Sequence, residues 1–169
     1  EQHGELSFCT FTAKGTRRWS AKSLKDFRDA MPKIIRRMRG MEGAPLCYIR
    51  VYERHSDGTY HIHMLVNRRF DVKHIVSADG KNDYYRNDEW ADWLASKSVG
   101  LGWKHDLRPL KKLGNFGIGR YVTKYMLKED ADEPFPPKLR RFQASQNFAK
   151  QRKDTSAGEW DFHSSLHSR

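Results

Sequence analysis

Residues 47–67 read CYIRVYERHSDGTYHIHMLVN, and this stretch decides the fold. Both halves alternate side-chain character and are rich in β-branched and aromatic residues, the pattern of strands with a buried face. Between them His55-Ser56-Asp57-Gly58 supplies turn chemistry, with Asp-Gly suited to a tight hairpin. Strands over 47–53 and 59–67 are therefore expected to pair antiparallel. Successive strand side chains point to opposite faces, so His61 and His63 share one face while Ile62 and Met64 take the other.

Working outward, residues 6–12 (LSFCTFT) read as a first strand, broken by Lys14-Gly15-Thr16. Ser20 stands as the N-cap of a helix in which Leu24, Phe27, Met31, Ile34 and Met38 recur at helical spacing. Lys22, Lys25, Arg28, Arg36 and Arg37 fall on its other side and read as a solvated face. Pro32 is expected to kink or split this helix, and Gly40 and Gly43 to end it. Residues 68–87 look polar and irregular, with 79–83 the most mobile part. A short helix over 88–97 carries Trp90, Trp93 and Leu94 on one side, and a fourth strand covers 103–110. Gly114, Gly117 and Gly119 precede a helix over 120–128, closed by Pro134, Pro136 and Pro137. Residues 139–145 (LRRFQAS) read as a fifth, edge-like strand. Helices and strands mix without a strict βαβ rhythm, which favours an α+β class with a largely antiparallel sheet. The expected organisation is one domain over 1–150, followed by a basic, polar tail over 151–169. The opening Glu1-Gln2-His3 in place of Met is read as a domain cut from a longer protein or a trimmed tag.

The 169 residues fit one hydrophobic core. Lys and Arg number 32 against 21 Asp and Glu, a net charge of +11, and this excess bears on partners rather than fold. Nucleic acid is the default partner, because neutralised phosphates release counterions. Cys9 and Cys47 lie in apolar strand-like runs without the spacing of a zinc knuckle or redox pair, and are read as reduced and buried. No apolar run approaches membrane-spanning length, so no membrane partner is expected, and the cysteines read as those of a cytosolic protein.

Two imidazoles on one strand face can converge on a single metal ion. Glu53 ends the preceding strand of the same hairpin and can add an oxygen ligand. Three protein ligands leave coordination positions open, as in catalytic sites. The same His-x-His pattern also arises on exposed strands that bind nothing. His55 is a weaker fourth candidate, while His74, His105, His163 and His167 read as ordinary histidines. Ligand type leaves manganese, magnesium, iron and zinc open. On the 120–128 helix, Tyr121 and Tyr125 share a face about 6 Å apart along the axis, with Lys124 one turn from Tyr121. That spacing equally suits a buried stripe with Val122 and Met126. A phenol of pKa about 10 attacks poorly unless a metal polarises its target and a cation offsets the charge.

Together these segments resemble the HUH endonuclease superfamily of replication initiators, relaxases and related transposases. Phe8-Cys9-Thr10-Phe11-Thr12 is similar to its first motif, and His61-Ile62-His63 to the His-hydrophobic-His motif. Tyr121-Val122-Thr123-Lys124-Tyr125 is similar to its third motif in the two-tyrosine form of phage and plasmid replication proteins, and residues 140–145 to the closing strand. The likeness spans roughly residues 6–148. It implies a five-stranded antiparallel sheet flanked by helices, related to the RNA-recognition fold. It implies manganese or magnesium held by His61, His63 and Glu53. It further implies nicking and rejoining of single-stranded DNA at an origin through a covalent 5′-phosphotyrosine on Tyr121, with Tyr125 as a second nucleophile and Lys124 beside them. The residue before the first histidine is Tyr60 where the family often has proline, and no ATPase segment is read, so a helicase is expected as a separate protein or a missing domain, with a host helicase and polymerase as expected partners. Arg50, Arg54, Arg68, Arg69, Lys104, Arg108, Lys111, Lys112 and Arg120 flank the inferred site in sequence and are read as contacts to the DNA backbone. Trp90, Trp93, Trp103 and Tyr48 are candidates for base stacking, although most of the tryptophans suit a core better. Two other classes compete: a non-catalytic nucleic-acid-binding module, which has no need of the triad, and a metal-dependent oxygenase or hydrolase of small substrates, which leaves the charge unexplained.

Overall fold

The apolar side of the 47–67 hairpin needs a cover, and two helices supply it. The computed structural model describes residues 6–13, 21–54, 60–110 and 140–147. Expectations for the turn at 55–59, the 14–20 segment, the 120–128 helix and the tail lie outside these residues. The described elements are β1 (Leu6–Thr12), α1 (Ala21–Arg39), β2 (Tyr48–Arg54), β3 (Tyr60–Val66), β4 (Lys73–Val76), β5 (Asp83–Arg86), α2 (Asp88–Ala95), β6 (His105–Leu110) and β7 (Phe142–Ala144). Five strands form one antiparallel sheet in the order β6-β1-β3-β2-β7, in keeping with the α+β expectation.

One sheet face carries Cys9, Phe11, Tyr52, Ile62, Met64 and Leu107, all buried. Helix α1 lays Phe27, Ala30, Met31, Ile34 and Met38 against it, a stripe at the 3.6-residue period, and Phe27 meets Tyr52 edge-on at 6.1 Å. Trp90 of α2 extends this core, packing against Phe11 and Phe70. Cys9 and Cys47 are free and buried, and burial pushes both thiols up from their ordinary pKa. Helix α1 runs through Pro32 and is not split. Pro32 lies on its exposed side, where water can satisfy the carbonyl that the missing N–H leaves over. Arg37 departs from the expected solvated face: its guanidinium lies 4.9 Å from the Trp90 ring and 4.6 Å from Trp93 and pairs with Glu89, tying α1 to α2.

Residues 68–87 are more ordered than their polarity implies. β4 and β5 form a separate two-stranded sheet. Its turn is held by side chains: Ser77 donates to the Asp79 carboxylate at 2.5 Å, the Lys81 amide to the same oxygen at 3.1 Å, and Gly80 supplies φ +67°. The strands are four residues long and largely exposed, so they leave no apolar alternation to read. The hairpin docks on the β6 edge. The Tyr85 amide donates to Asp106 at 2.8 Å, and Arg108 bonds Asp83 through two nitrogens. Asn87 then caps α2, accepting from the Trp90 amide at 2.8 Å. Among the described residues no helix is long and apolar enough to cross a membrane.

Arg68 is a charged residue of the interior, only 3% exposed. Its Nε donates to the Met38 carbonyl at 2.8 Å, and Nη1 donates to the carbonyls of Ala44 and Asn67 at 2.9 and 2.8 Å. Met38 lies in the last turn of α1, where carbonyls have no helical partner. Arg68 therefore closes α1 and the loop after it, and the expectation that it contacts DNA is replaced by this buried clamp. Arg68→Met should lower stability by about 2–3 kcal/mol, since one buried and two part-buried carbonyls lose a charged donor. Urea unfolding checks this, with the exposed Arg36→Met as a control expected within about 0.5 kcal/mol of the parent; equal midpoints for both would refute the clamp.

Candidate functional site

Strand register builds the site. In an antiparallel sheet, directly opposed residues point to the same face. Thr12 opposes His61, and His61 opposes Glu53, making one rung across β1, β3 and β2. Two residues along, Thr10, His63 and Val51 make the next rung on the same face. This is the face turned away from α1. The sequence placed both histidines and Glu53 together, and the register brings them together.

The side chains interlock within this face. His63 and Glu53 are 6% and 3% exposed, and His63 Nε2 lies 2.5 Å from Glu53 Oε2. Burying a carboxylate this deeply is costly unless it is paired, and His63 supplies the pairing. His63 Nδ1 meets the Thr10 hydroxyl at 3.0 Å, and His61 Nδ1 meets the Thr12 hydroxyl at 3.2 Å. The two rings stack nearly parallel, 13° apart with centroids at 6.2 Å, and Phe8 stacks on His63 from the other side at 5.3 Å. Each imidazole is thus held by a threonine at Nδ1, and the Nε2 of His63 faces Glu53. Among the described residues no three His, Cys, Asp or Glu side chains are already drawn to metal-ligand spacing.

The basic residues expected near this site separate. Lys104 continues the His61 rung through its backbone, the Thr12 amide donating to its carbonyl at 3.2 Å, while its ammonium lies over Trp103. Arg50 does not, because it opposes Met64 and so lies on the α1 face, bonded to Gln143. Arg108 is engaged by Asp83 and Asp106 and lies over Tyr85 at 5.1 Å. Arg69 is exposed. The side chain of Arg54 and all of Tyr121, Lys124, Tyr125, Lys111, Lys112 and Arg120 lie outside the described residues. Trp90 and Tyr48 are core residues and Trp93 packs beside them, whereas Trp103 is 53% exposed. Sequence reasoning missed Thr10 and Thr12 as site residues. Their signal was present: Thr-x-Thr has the same two-residue period as His-x-His on a neighbouring strand.

Residues 6–130 match the model of the ORF2-type replication-associated protein family. The chain belongs to this family. The matched span runs from the threonine strand through the histidine hairpin and beyond β6, and makes the protein a replication protein of the Rep type. Neither the curated proteins nor the solved structures contain a match to the chain.

In this replication protein the threonine hydroxyls are testable parts of the site. Thr10→Val removes the hydroxyl with little change of shape and should lower stability by about 1 kcal/mol, while Thr10→Ser retains most of it. Urea midpoints at unchanged slope provide the check. A valine variant as stable as the parent would mean that the Thr10–His63 bond contributes nothing.

Proposed function

We propose that this protein is an HUH-type endonuclease that nicks and rejoins single-stranded DNA at an origin and so starts rolling-circle replication. The observation that carries the reading is the convergence of Glu53, His61 and His63 on one sheet face, each imidazole braced at Nδ1 by a threonine, in a chain of a replication-associated family. Metal-ligating histidines commonly have their second nitrogen fixed in this way. The donor set of two imidazoles and one carboxylate is compatible with manganese or magnesium, the ions that the family resemblance implies. Glu53 and His63, already in contact, would hold such an ion together with His61.

When bound, the ion would polarise the scissile phosphate as a Lewis acid and help align it. The chain's own groups perform the transfer. Tyr121 attacks the phosphorus through its phenolic oxygen, the bond to the 3′ oxygen breaks, and the phenol proton ends on that departing oxygen, making it a 3′ hydroxyl. Lys124 offsets negative charge as the phenolate and phosphate meet. Tyr125 repeats the reaction on a second phosphodiester, and the 3′ hydroxyl of the displaced strand later attacks the phosphotyrosine to rejoin the ends. These tyrosine and lysine roles rest on the sequence motif. The freed 3′ hydroxyl is a primer for polymerase.

A second reading has one observation in its favour. The Glu53–His63 pair satisfies the buried carboxylate without any ion, as a non-catalytic strand-binding protein would require. The two readings separate on a gel. Incubation with labelled single-stranded origin DNA and manganese, then boiling in detergent, should leave a covalent adduct. The adduct should vanish with chelator, with Tyr121→Phe and with His63→Ala. Tyr125→Phe should still form it but fail to join a second strand. Binding of origin DNA without an adduct under any of these conditions would favour the non-catalytic protein.

A further inference from the structure

Trp103 is held from both sides yet left in water. Before it, Leu101 is fully buried, its amide bonded to the Leu94 carbonyl at 3.0 Å, and Gly102 turns the chain at φ +112°. After it, the Lys104 carbonyl accepts from Thr12, and His105 is 8% exposed. Burial pushes the His105 imidazole down from its ordinary pKa, which keeps it neutral with one donor and one acceptor nitrogen. Nδ1–H donates to the Trp103 carbonyl at 2.9 Å, and Nε2 accepts from the Asn87 amide at 3.2 Å. The backbone of Trp103 is thus tied to the sheet, the α2 cap and the loop at once. Its indole nevertheless remains 53% exposed, in a protein whose other described tryptophans pack inside or against the core.

Two cations attend the ring. The Arg86 guanidinium lies 5.5 Å from its centroid and Lys104 Nζ lies 6.0 Å away. An exposed aromatic ring with two cations over it offers π surface and positive charge together, which a nucleobase and its phosphates complement. Its position agrees. Lys104 extends the rung of Thr12, His61 and Glu53, two strand spacings from His61, or about 10 Å. That is the length of about three stacked nucleotides. We propose that Trp103, with Arg86 and Lys104, is a stacking platform for a base of the single strand that passes the Glu53–His61–His63 site. The inference rests on the proposed single-stranded DNA function but not on cleavage.

The test is therefore binding in chelator, where no nicking occurs. Trp103→Ala, Trp103→Phe and the parent are titrated with oligothymidylate and with an abasic oligomer of equal length and charge. Trp103→Ala should weaken oligothymidylate binding by about 5- to 150-fold, the range for loss of one stacked base, and Trp103→Phe should restore most of it. Affinity for the abasic oligomer should not change. Equal weakening on both oligomers, or no weakening, would overturn the platform, as would a parent chain that fails to bind oligothymidylate. Failure of the platform while the parent still forms its metal-dependent adduct would leave the endonuclease reading intact. A loss of self-association in Trp103→Ala, seen by sedimentation with DNA affinity unchanged, would assign the indole to a contact between copies instead.

Discussion

The register between β1, β3 and β2 is the constraint on which the remainder of the structure depends. Thr10 and Thr12 meet His63 and His61 only because β1 pairs with β3 at this offset, and Glu53 reaches them only because β2 does the same on the other side. A slip of one residue in β3 would turn both histidines toward Phe27 and Met31 and put Ile62 and Met64 in the site. The apolar face therefore protects the polar one. Each of Ile62, Met64, Phe11 and Cys9, fully buried beneath the helices, resists the slip that would dismantle the site.

The polar interior follows a single rule: each buried charge or imidazole is given partners from another segment. Glu53 has His63, His63 has Thr10, Arg68 has three carbonyls around the end of α1, and His105 bridges Trp103 and Asn87. Unpaired, such groups would each be destabilising, and paired they make the geometry specific. The same partners join distant parts of the chain. Arg68 links β3 to the loop after α1, and His105 links β6 to the start of α2, so the framework around the site is tied by hydrogen bonds as well as by apolar packing.

The β6 edge is managed differently. An unpaired edge invites another strand, and here the β4–β5 hairpin docks on it through Tyr85, Asp83 and Arg108. This docking also brings Arg86 beside Trp103. The β6 edge, two strands from the histidines, thus ends in an aromatic ring with cations, whereas the opposite edge strand, β7, is only three residues long.

By itself the sequence determined the elements with strong periodicity. The two-residue alternation of β1, β2 and β3 and the 3.6-residue stripe of α1 were legible because each is a local consequence of having one face buried. The shared face of His61 and His63, and the nearness of Glu53 across a tight turn, were legible for the same reason. Only the tertiary structure decided what depended on partners far along the chain. Arg68 and Arg37 look like surface cations until carbonyls and tryptophans from other segments enclose them. Thr10 and Thr12 are ordinary strand residues until the register places them on imidazoles some fifty positions away. β4 and β5 carry no apolar pattern, since turn hydrogen bonds and docking on β6 order them instead. Local spacing fixes which face a side chain points to, whereas its burial, pairing and role depend on which distant residue the fold sets opposite it.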